Sequence, residues 1–301
     1  MTNIPGNDFG LALSNAAADA VERAGALTAL VDARRRRPLS GVLFAPDLIL
    51  TASHGVERED QINVLLPDGS QQTAVLAGRD RGSDLAVLRL ASAAGGQAAQ
   101  PSRQPARVGH LVLAVGRPSP EGVQASLGLI NSAGGGLRTM GGGVLERYLV
   151  TDAVPLPGFS GGPLVDLAGN VLGINTSGLV RGSSLAIPAE LAWQVAQNLA
   201  QHGHIRRGYL GIRSQVVEIP SQAVADGQQT GLLVVGVEPE GPAANRLMVG
   251  DILVGLEGQP VADHDDLLVR LTGDVVGREI ELRVLRGGQP QPVRLTVGER
   301  E

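Results

Sequence analysis

No cysteine and no lysine occur anywhere in the 301 residues, and only six side chains are aromatic. All 25 cations are therefore arginines. Without lysine there is no Schiff-base amine, no Ser–Lys dyad and no phosphate-binding Walker-A lysine. Without cysteine there is no thiol nucleophile, no thiolate-ligated zinc or iron–sulfur site, and no disulfide. The fold has to hold by packing alone, and neither a metal nor another cofactor is expected. Long apolar runs are missing too, so a membrane-spanning helix is unsupported. Residues 1–30 lack a basic leader region, the first cation being Arg23, so the sequence as it stands reads as soluble, unexported and cytoplasmic. A net charge of −5 provides no general attraction to nucleic acid or anionic membrane, and neither is expected as a partner.

What is present points to β structure. Glycine accounts for 42 residues, about twice its usual share, which favours turn-rich strands over helix bundles. Apolar residues at 43% suffice for ordinary cores, and the length suggests about two domains at ~150 residues each.

Residues 11–31 begin with an Ala-rich helical stretch, followed by the solvated run Arg34–Arg37. From Gly41 onward, short apolar runs alternate with turn signals. The strand candidates are Gly41–Phe44, Leu48–Ala52, Ile62–Leu66, Thr73–Leu76 and Leu85–Leu90, with Pro46-Asp47 and Asp68-Gly69 between them. Residues 91–107 are small, polar and proline-bearing, hence a loop. Strand-like runs resume at Leu111–Val115, Val123–Ile130, Tyr148–Thr151, Leu164–Val165 and Val171–Ile174, and Gly134–Gly136 and Gly141–Gly143 bracket a stretch expected to be a mobile loop. Pro188, the spacing Leu191, Val195, Leu199 and a closing Gly203 predict a helix that ends the first domain at 204. The second domain, 205–301, reads as compact α+β. Its expected elements are a strand (232–237), a short helix near Pro242–Leu247, a strand (252–256) and turn Glu257-Gly258. A capped helix from Asp263 to Leu271 and strands 280–285 and 293–297 across Gly287-Gly288 complete it.

Three segments carry chemistry: Thr51-Ala52-Ser53-His54, then Ser83-Asp84 opening an apolar strand, then Gly158-Phe159-Ser160-Gly161-Gly162-Pro163. Each alone has an ordinary reading: an isolated histidine is usually structural or exposed, Asp84 a strand-start cap, the glycine segment a turn. Together they supply what a hydroxyl nucleophile needs. An imidazole takes the serine proton, and a carboxylate fixes the imidazole's tautomer. Glycines beside Ser160 tolerate the dihedrals that turn backbone N–H groups toward one point. The order His, Asp, Ser, at separations of 30 and 76 residues in a β context, resembles the trypsin-like (chymotrypsin-fold) serine proteases.

The segments GVLFAPDLILTASH, SDLAVLRL, TDAVPLPGFSGGPLVDLAGNVLGINT, SLAIP and RRGYLGI are similar to the HtrA (Deg) branch of that family. The resemblance runs from about Leu39 to the C-terminus. It implies a mostly β fold: a double six-stranded barrel within 1–204, its N-terminal segment being 1–38, followed by a PDZ domain at 205–301. It implies His54 as general base, Asp84 as orienting carboxylate and Ser160 as nucleophile, with the N–H groups of Gly158 and Ser160 as oxyanion hole. Val154, six residues before the nucleophile, takes the position of an S1 pocket floor and disfavours a cationic P1 side chain, Asp152 being structural. Tyr209-Leu210-Gly211-Ile212 matches the family's carboxylate-binding loop, with Leu267, Leu268 and Leu271 as further pocket walls, at least half of these leucines being core. Two departures stand out: Phe159 where the branch usually has Asn, and Gly55 inserted before Val56.

The function so implied is an ATP-independent serine endopeptidase that cleaves unfolded or exposed polypeptide segments, regulated by peptide C-termini at the PDZ groove. The resemblance further implies a homotrimer built through the N-terminal segment, where Phe9 is the one aromatic before Phe44, and members of the branch are often periplasmic. Gly158-x-Ser160-x-Gly162 also fits a nucleophile elbow, but Pro163 and a strand–turn–strand pattern follow where that motif needs a helix. The remaining alternative, kept open by Phe159, is a catalytically inactive PDZ-containing scaffold.

Overall fold

A computed structural model describes residues 6–35, 37–139, 144–145, 147–180, 185–204, 208–219, 227–271 and 275–299. Arg36 of the arginine run, Gly141–Gly143, Ser184 of SLAIP and Arg206-Arg207 lie outside the described residues. The chain divides into two compact units, 1–204 and 205–301.

In the first unit, helix α1 (Gly6–Gly25) precedes six strands. These are β1 (Thr28–Asp32), β2 (Leu39–Ala45), β3 (Leu48–Ala52), β4 (Ile62–Leu65), β5 (Gln71–Asp80) and β6 (Leu85–Leu90). They close into a barrel in the order β1-β2-β3-β6-β5-β4. All of β3 is buried, and β6 exposes only Arg89. Strands covered on both faces read as continuous apolar runs rather than alternating ones. The expectation named no strand at β1, where the residues 11–31 that begin with a helical stretch come to an end. Helix α1 ends at Gly25, Thr28 Oγ1 donates back to Ala24 O at 2.7 Å, and the chain turns into a buried strand.

The second barrel uses β7 (Leu111–Ser119), β8 (Gly122–Gly134), β11 (Tyr148–Thr151), β12 (Pro163–Asp166), β13 (Val171–Thr176) and β14 (Leu185–Pro188). Its order is β11-β14-β13-β12-β7-β8, again closed. Between β8 and β11, where a loop was expected, β9 (Leu137–Arg138) and β10 (Val144–Leu145) pair as a short hairpin. Helix α2 (Ala189–His202) follows Pro188 and ends at Gly203, whose φ of 79° lets its N–H reach Leu199 O. Its buried face is Ala189, Ala192, Trp193, Ala196 and Leu199; Leu199 is buried as expected, while Leu191 and Val195 give way to neighbours one residue round. Small alanines allow the helix to approach closely, while Trp193 meets Phe44 edge-on at 6.5 Å.

Among the described residues the second unit has a main sheet, a short separate strand pair and one helix. Its strands are β15 (Gly208–Tyr209), β16 (Ile212–Glu218), β17 (Thr230–Val237), β18 (Ile252–Leu256), β19 (Gln259–Pro260), β20 (Glu279–Arg286), β21 (Gln289–Thr296) and β22 (Gly298–Glu299). The sheet order is β16-β17-β18-β20-β21. Helix α3 (His264–Arg270) is capped by Asp263, whose side chain accepts from Asp266 N. Both hairpins turn through two positive-φ residues, Glu257-Gly258 and Gly287-Gly288, the type I′ geometry that suits strand twist. Residues 242–247 form successive turns rather than the expected short helix, with Asn245 at a φ of 60° breaking it.

Candidate active site

His54 lies in a single 3-10 turn, Ser53–Gly55, immediately after β3. Asp84 immediately precedes β6. Because β3 and β6 pair with Ala52 opposite Leu85, the two residues that flank this pair come together at one barrel end. His54 Nδ1 sits 2.7 Å from Asp84 Oδ2, and His54 N donates to Asp84 Oδ1 at 2.8 Å. The carboxylate also accepts from Thr176 Oγ1 at the end of β13. Asp84 itself is 4% exposed and holds a φ of 57°, a left-handed conformation that Asp tolerates better than most residues. At Gly55 a Cβ would collide with the Leu39 side chain.

Ser160 stands between β11 and β12, 7% exposed. The loop is held by Phe159 N to Leu156 O at 3.0 Å, Gly161 N to Asn175 O at 2.8 Å and Gly162 N to Phe159 O at 2.9 Å. Gly158 at a φ of 99° and Gly161 at 86° supply the turns. Phe159 is fully buried in the second barrel's core, against Gly116, where any side chain would meet its ring. The departure from Asn thus replaces a polar residue by an apolar anchor. Among the described residues, the N–H groups of Gly158 and Ser160 have no acceptor, whereas those of Phe159, Gly161 and Gly162 all do. Buried backbone donors are nearly always paired, so these two are left to be satisfied by an acceptor from outside the described residues.

Ser160 Oγ is hydrogen-bonded to Ser177 Oγ at 3.1 Å, and no hydrogen bond joins it to His54 among the described residues. The tripeptide Thr176-Ser177-Gly178 thereby touches all three candidate residues. Gly178 lies so close to the His54–Asp84 pair that a Cβ would stand 2.5 Å from both Asp84 Oδ2 and His54 Nδ1. Sequence reasoning missed these three residues. Thr176 ends the quoted segment GINT, but nothing local marks Ser177 or Gly178.

Val154 is 58% exposed rather than enclosed at a pocket floor. Its expected position at a pocket floor is therefore not seen, the side chain being largely exposed. Asp152 is occupied structurally, its Oδ1 accepting from Leu129 N at 2.6 Å. Among the described residues no cluster of three or more His, Asp or Glu side chains is arranged to hold a metal ion.

In the second unit, Gly211 at a φ of 73° turns the chain into β16. The carbonyls of Leu210 and Gly211 accept from Ala243 N and Glu238 N, both at 2.8 Å, while their own N–H groups have no acceptor among the described residues. Tyr209 Oη donates to Glu238 Oε2. Leu210, Leu267 and Leu271 are buried in this unit's core with Ile212 packed against it, and Leu268 is 45% exposed.

Comparison with known proteins gives the same division. Residues 39–174 match the trypsin-like peptidase domain and residues 208–297 the PDZ domain. A probable periplasmic serine endoprotease, DegP-like, from Halomonas elongata is 36% identical over 277 residues, covering 88% of this chain and 57% of that protein. The chain thus spans a little over half the length of the curated relatives it matches. Among solved structures, the HtrA-type protease AlgW with a decapeptide is 31% identical with a TM-score of 0.76, covering 94% of this chain and 98% of that one. A serine endoprotease from Yersinia pestis is 30% identical with a TM-score of 0.74, covering 94% and 98%. Among the described residues no helix is long and apolar enough to cross a membrane. With two closed barrels, a PDZ domain and relatives of this kind, the chain belongs to the HtrA-type proteases.

Proposed function

We propose that the chain is an ATP-independent serine endopeptidase that cleaves unfolded or exposed polypeptide, with residues 1–204 performing the chemistry and 205–301 binding peptide. The observation that carries this reading is the 2.7 Å His54–Asp84 pair beside a serine flanked by two unpaired N–H groups. In the first step Ser160 Oγ leaves Ser177, turns toward His54 and attacks the substrate carbonyl carbon while His54 Nε2 takes its proton. Asp84 holds the imidazole by Nδ1 and stabilises the imidazolium. The carbonyl oxygen becomes an anion that accepts from Gly158 N–H and Ser160 N–H, an arrangement worth about 2.7–4 kcal/mol per donor in related chemistry. His54 then returns the proton to the departing amine, leaving an acyl–Ser160 ester. Water, deprotonated by His54, releases the acid and restores the hydroxyl.

A fluorophosphonate probe tests the assignment. Labelling of Ser160 that disappears in His54→Ala and Ser160→Ala, together with loss of casein cleavage, is expected. Folded wild-type protein that takes no label would instead support the inactive scaffold. For specificity, the residues leading to the nucleophile are apolar, Val154 and Leu156, and the nearby Asp152 is committed to Leu129. Peptides with P1 Val, Ala or Leu should therefore outrun P1 Arg by well over tenfold, and faster P1 Arg cleavage would refute it.

The PDZ unit is proposed to take a peptide C-terminus at the N–H groups of Leu210 and Gly211, with the peptide adding to the edge of β16. A relative solved with a decapeptide supports peptide ligands. A homotrimer is proposed through α1, where Phe9 and Leu11 are 73% and 62% exposed. Light scattering of Phe9→Ser protein that still shows a trimer would count against that contact.

A further inference from the structure

We propose that Ser40 is a positioning residue for the oxyanion hole, reaching from the first barrel to set the nucleophile loop of the second. This rests on the protease reading above. Ser40 lies on β2 and is fully buried. Every polar atom it owns is committed. Its Oγ donates to Gly158 O at 2.8 Å and accepts from Arg117 N at 2.8 Å. Its N–H donates to Ser160 O at 3.2 Å, and its carbonyl accepts from Thr51 Oγ1 at 2.7 Å.

The hydrogen positions follow from these contacts. A serine hydroxyl has one proton. Arg117 N–H can only donate, so the Ser40 proton has to go to Gly158 O. The peptide between Gly158 and Phe159 is then held at both ends, its oxygen by Ser40 and its N–H by Leu156 O at 3.0 Å. Glycine rotates its peptides more freely than any other residue, and Gly158 already holds a φ of 99°. Pinning its carbonyl fixes one side of Gly158 and so narrows the rotations open to the preceding peptide, which carries the Gly158 N–H. On the other side of the nucleophile, Ser160 O is held by the Ser40 N–H. The two candidate oxyanion donors therefore belong to a segment clamped at both flanking carbonyls by a single side chain and its own amide. Phe159, buried in the second barrel, anchors the same segment.

Ser40→Ala keeps the backbone clamp on Ser160 O and removes the one on Gly158 O. The expected result is a kcat that falls about 10- to 100-fold, below the 10²–10³-fold cost of deleting a donor outright. KM should stay within about twofold, because ground-state contacts are untouched. Affinity for a peptide boronate, which mimics the tetrahedral adduct, should fall in parallel with kcat/KM. Affinity for a product-like peptide acid should not. Ser40→Cys, close in size with a weaker donor, should fall between alanine and wild type. Rates are normalised to sites titrated by fluorophosphonate, so a partly misfolded preparation does not mimic the effect. If Ser40→Ala does not fold, Ser40→Cys carries the same comparison. Per-site kcat and boronate affinity within twofold of wild type in the folded variant would overturn the inference while leaving the protease reading intact. Wild-type protein that neither labels nor cleaves would overturn the protease reading itself.

Discussion

Adding a single methyl group at Gly178 should disable cleavage without altering any reacting side chain. The methyl carbon of Gly178→Ala would stand 2.5 Å from Asp84 Oδ2, 2.5 Å from His54 Nδ1 and 2.9 Å from Asp84 Cγ. Ordinary contacts of this kind begin near 3.4 Å, so the overlap is about 1 Å on both atoms of one hydrogen bond. The carboxylate has nowhere to retreat. Its Oδ1 accepts from His54 N at 2.8 Å, its Oδ2 from Thr176 Oγ1, and the Asp84 carbonyl from Ser53 N at 2.9 Å. The imidazole must therefore rotate, or the Gly178 backbone must withdraw and take Ser177 and Thr176 with it. Charge-assisted bonds are worth about 1.5–3 kcal/mol each, and misorienting the base in a serine triad costs up to about 10⁴ in kcat. Losing one or two such bonds gives about 3–5 kcal/mol of transition-state stabilisation, or two to four powers of ten. Overpacking should lower folding stability by only about 1–3 kcal/mol. The assay compares peptide hydrolysis and fluorophosphonate labelling per folded molecule, with urea unfolding in parallel. Gly95→Ala is the control, since a Cβ there meets nothing within 4 Å. Rates within threefold of wild type in folded Gly178→Ala protein would refute the claim that the His54–Asp84 contact tolerates no neighbour there.

Two further outcomes follow from packing and charge. Phe159→Ala removes a fully buried ring from the second barrel and should cost about 3–5 kcal/mol in urea unfolding, with slower labelling of Ser160; an unchanged unfolding midpoint would mean the ring is not an anchor. Asp251, 2% exposed, is paired through both oxygens with Arg286 at 2.8 Å and accepts from Met248 N at 2.8 Å. Burial pushes its pKa up, but the Arg286 guanidinium and the Met248 N–H outweigh burial and hold it below the usual carboxylate value. A lowered folded-state pKa means the unfolded chain binds the proton first, so this stabilisation is present above about pH 4 and is lost as pH falls further. The urea midpoint of the second unit should drop on acidification from about pH 5 to 3. Asp251→Asn should lower the midpoint at neutral pH and flatten that slope, and a slope equal to wild type would refute the assignment.

Much of this protein was determined by local sequence. Runs such as Leu48–Ala52 and Leu85–Leu90 are apolar throughout because both faces are covered, and they emerge as strands with those bounds. Gly287-Gly288, the Asp263 cap and the Gly203 terminus act within a few residues of themselves, so their positions could be read directly. The order of His54, Asp84 and Ser160 pointed to the chemistry for the same reason: each follows or precedes a recognisable strand. Strand β1 and the one-residue rotation of α2 escaped, because burial there depends on which partner the element meets and not on its own period. The contacts that complete the site depend on the tertiary structure alone. Ser40 reaches Gly158 across 118 residues, and Thr176 reaches Asp84 across 92. Ser177 meets Ser160, and Gly178 leaves room for the paired imidazole and carboxylate, only because β13 ends where two barrels face each other. Barrel closure and strand register set those meetings, and neither is encoded in any one segment of the chain.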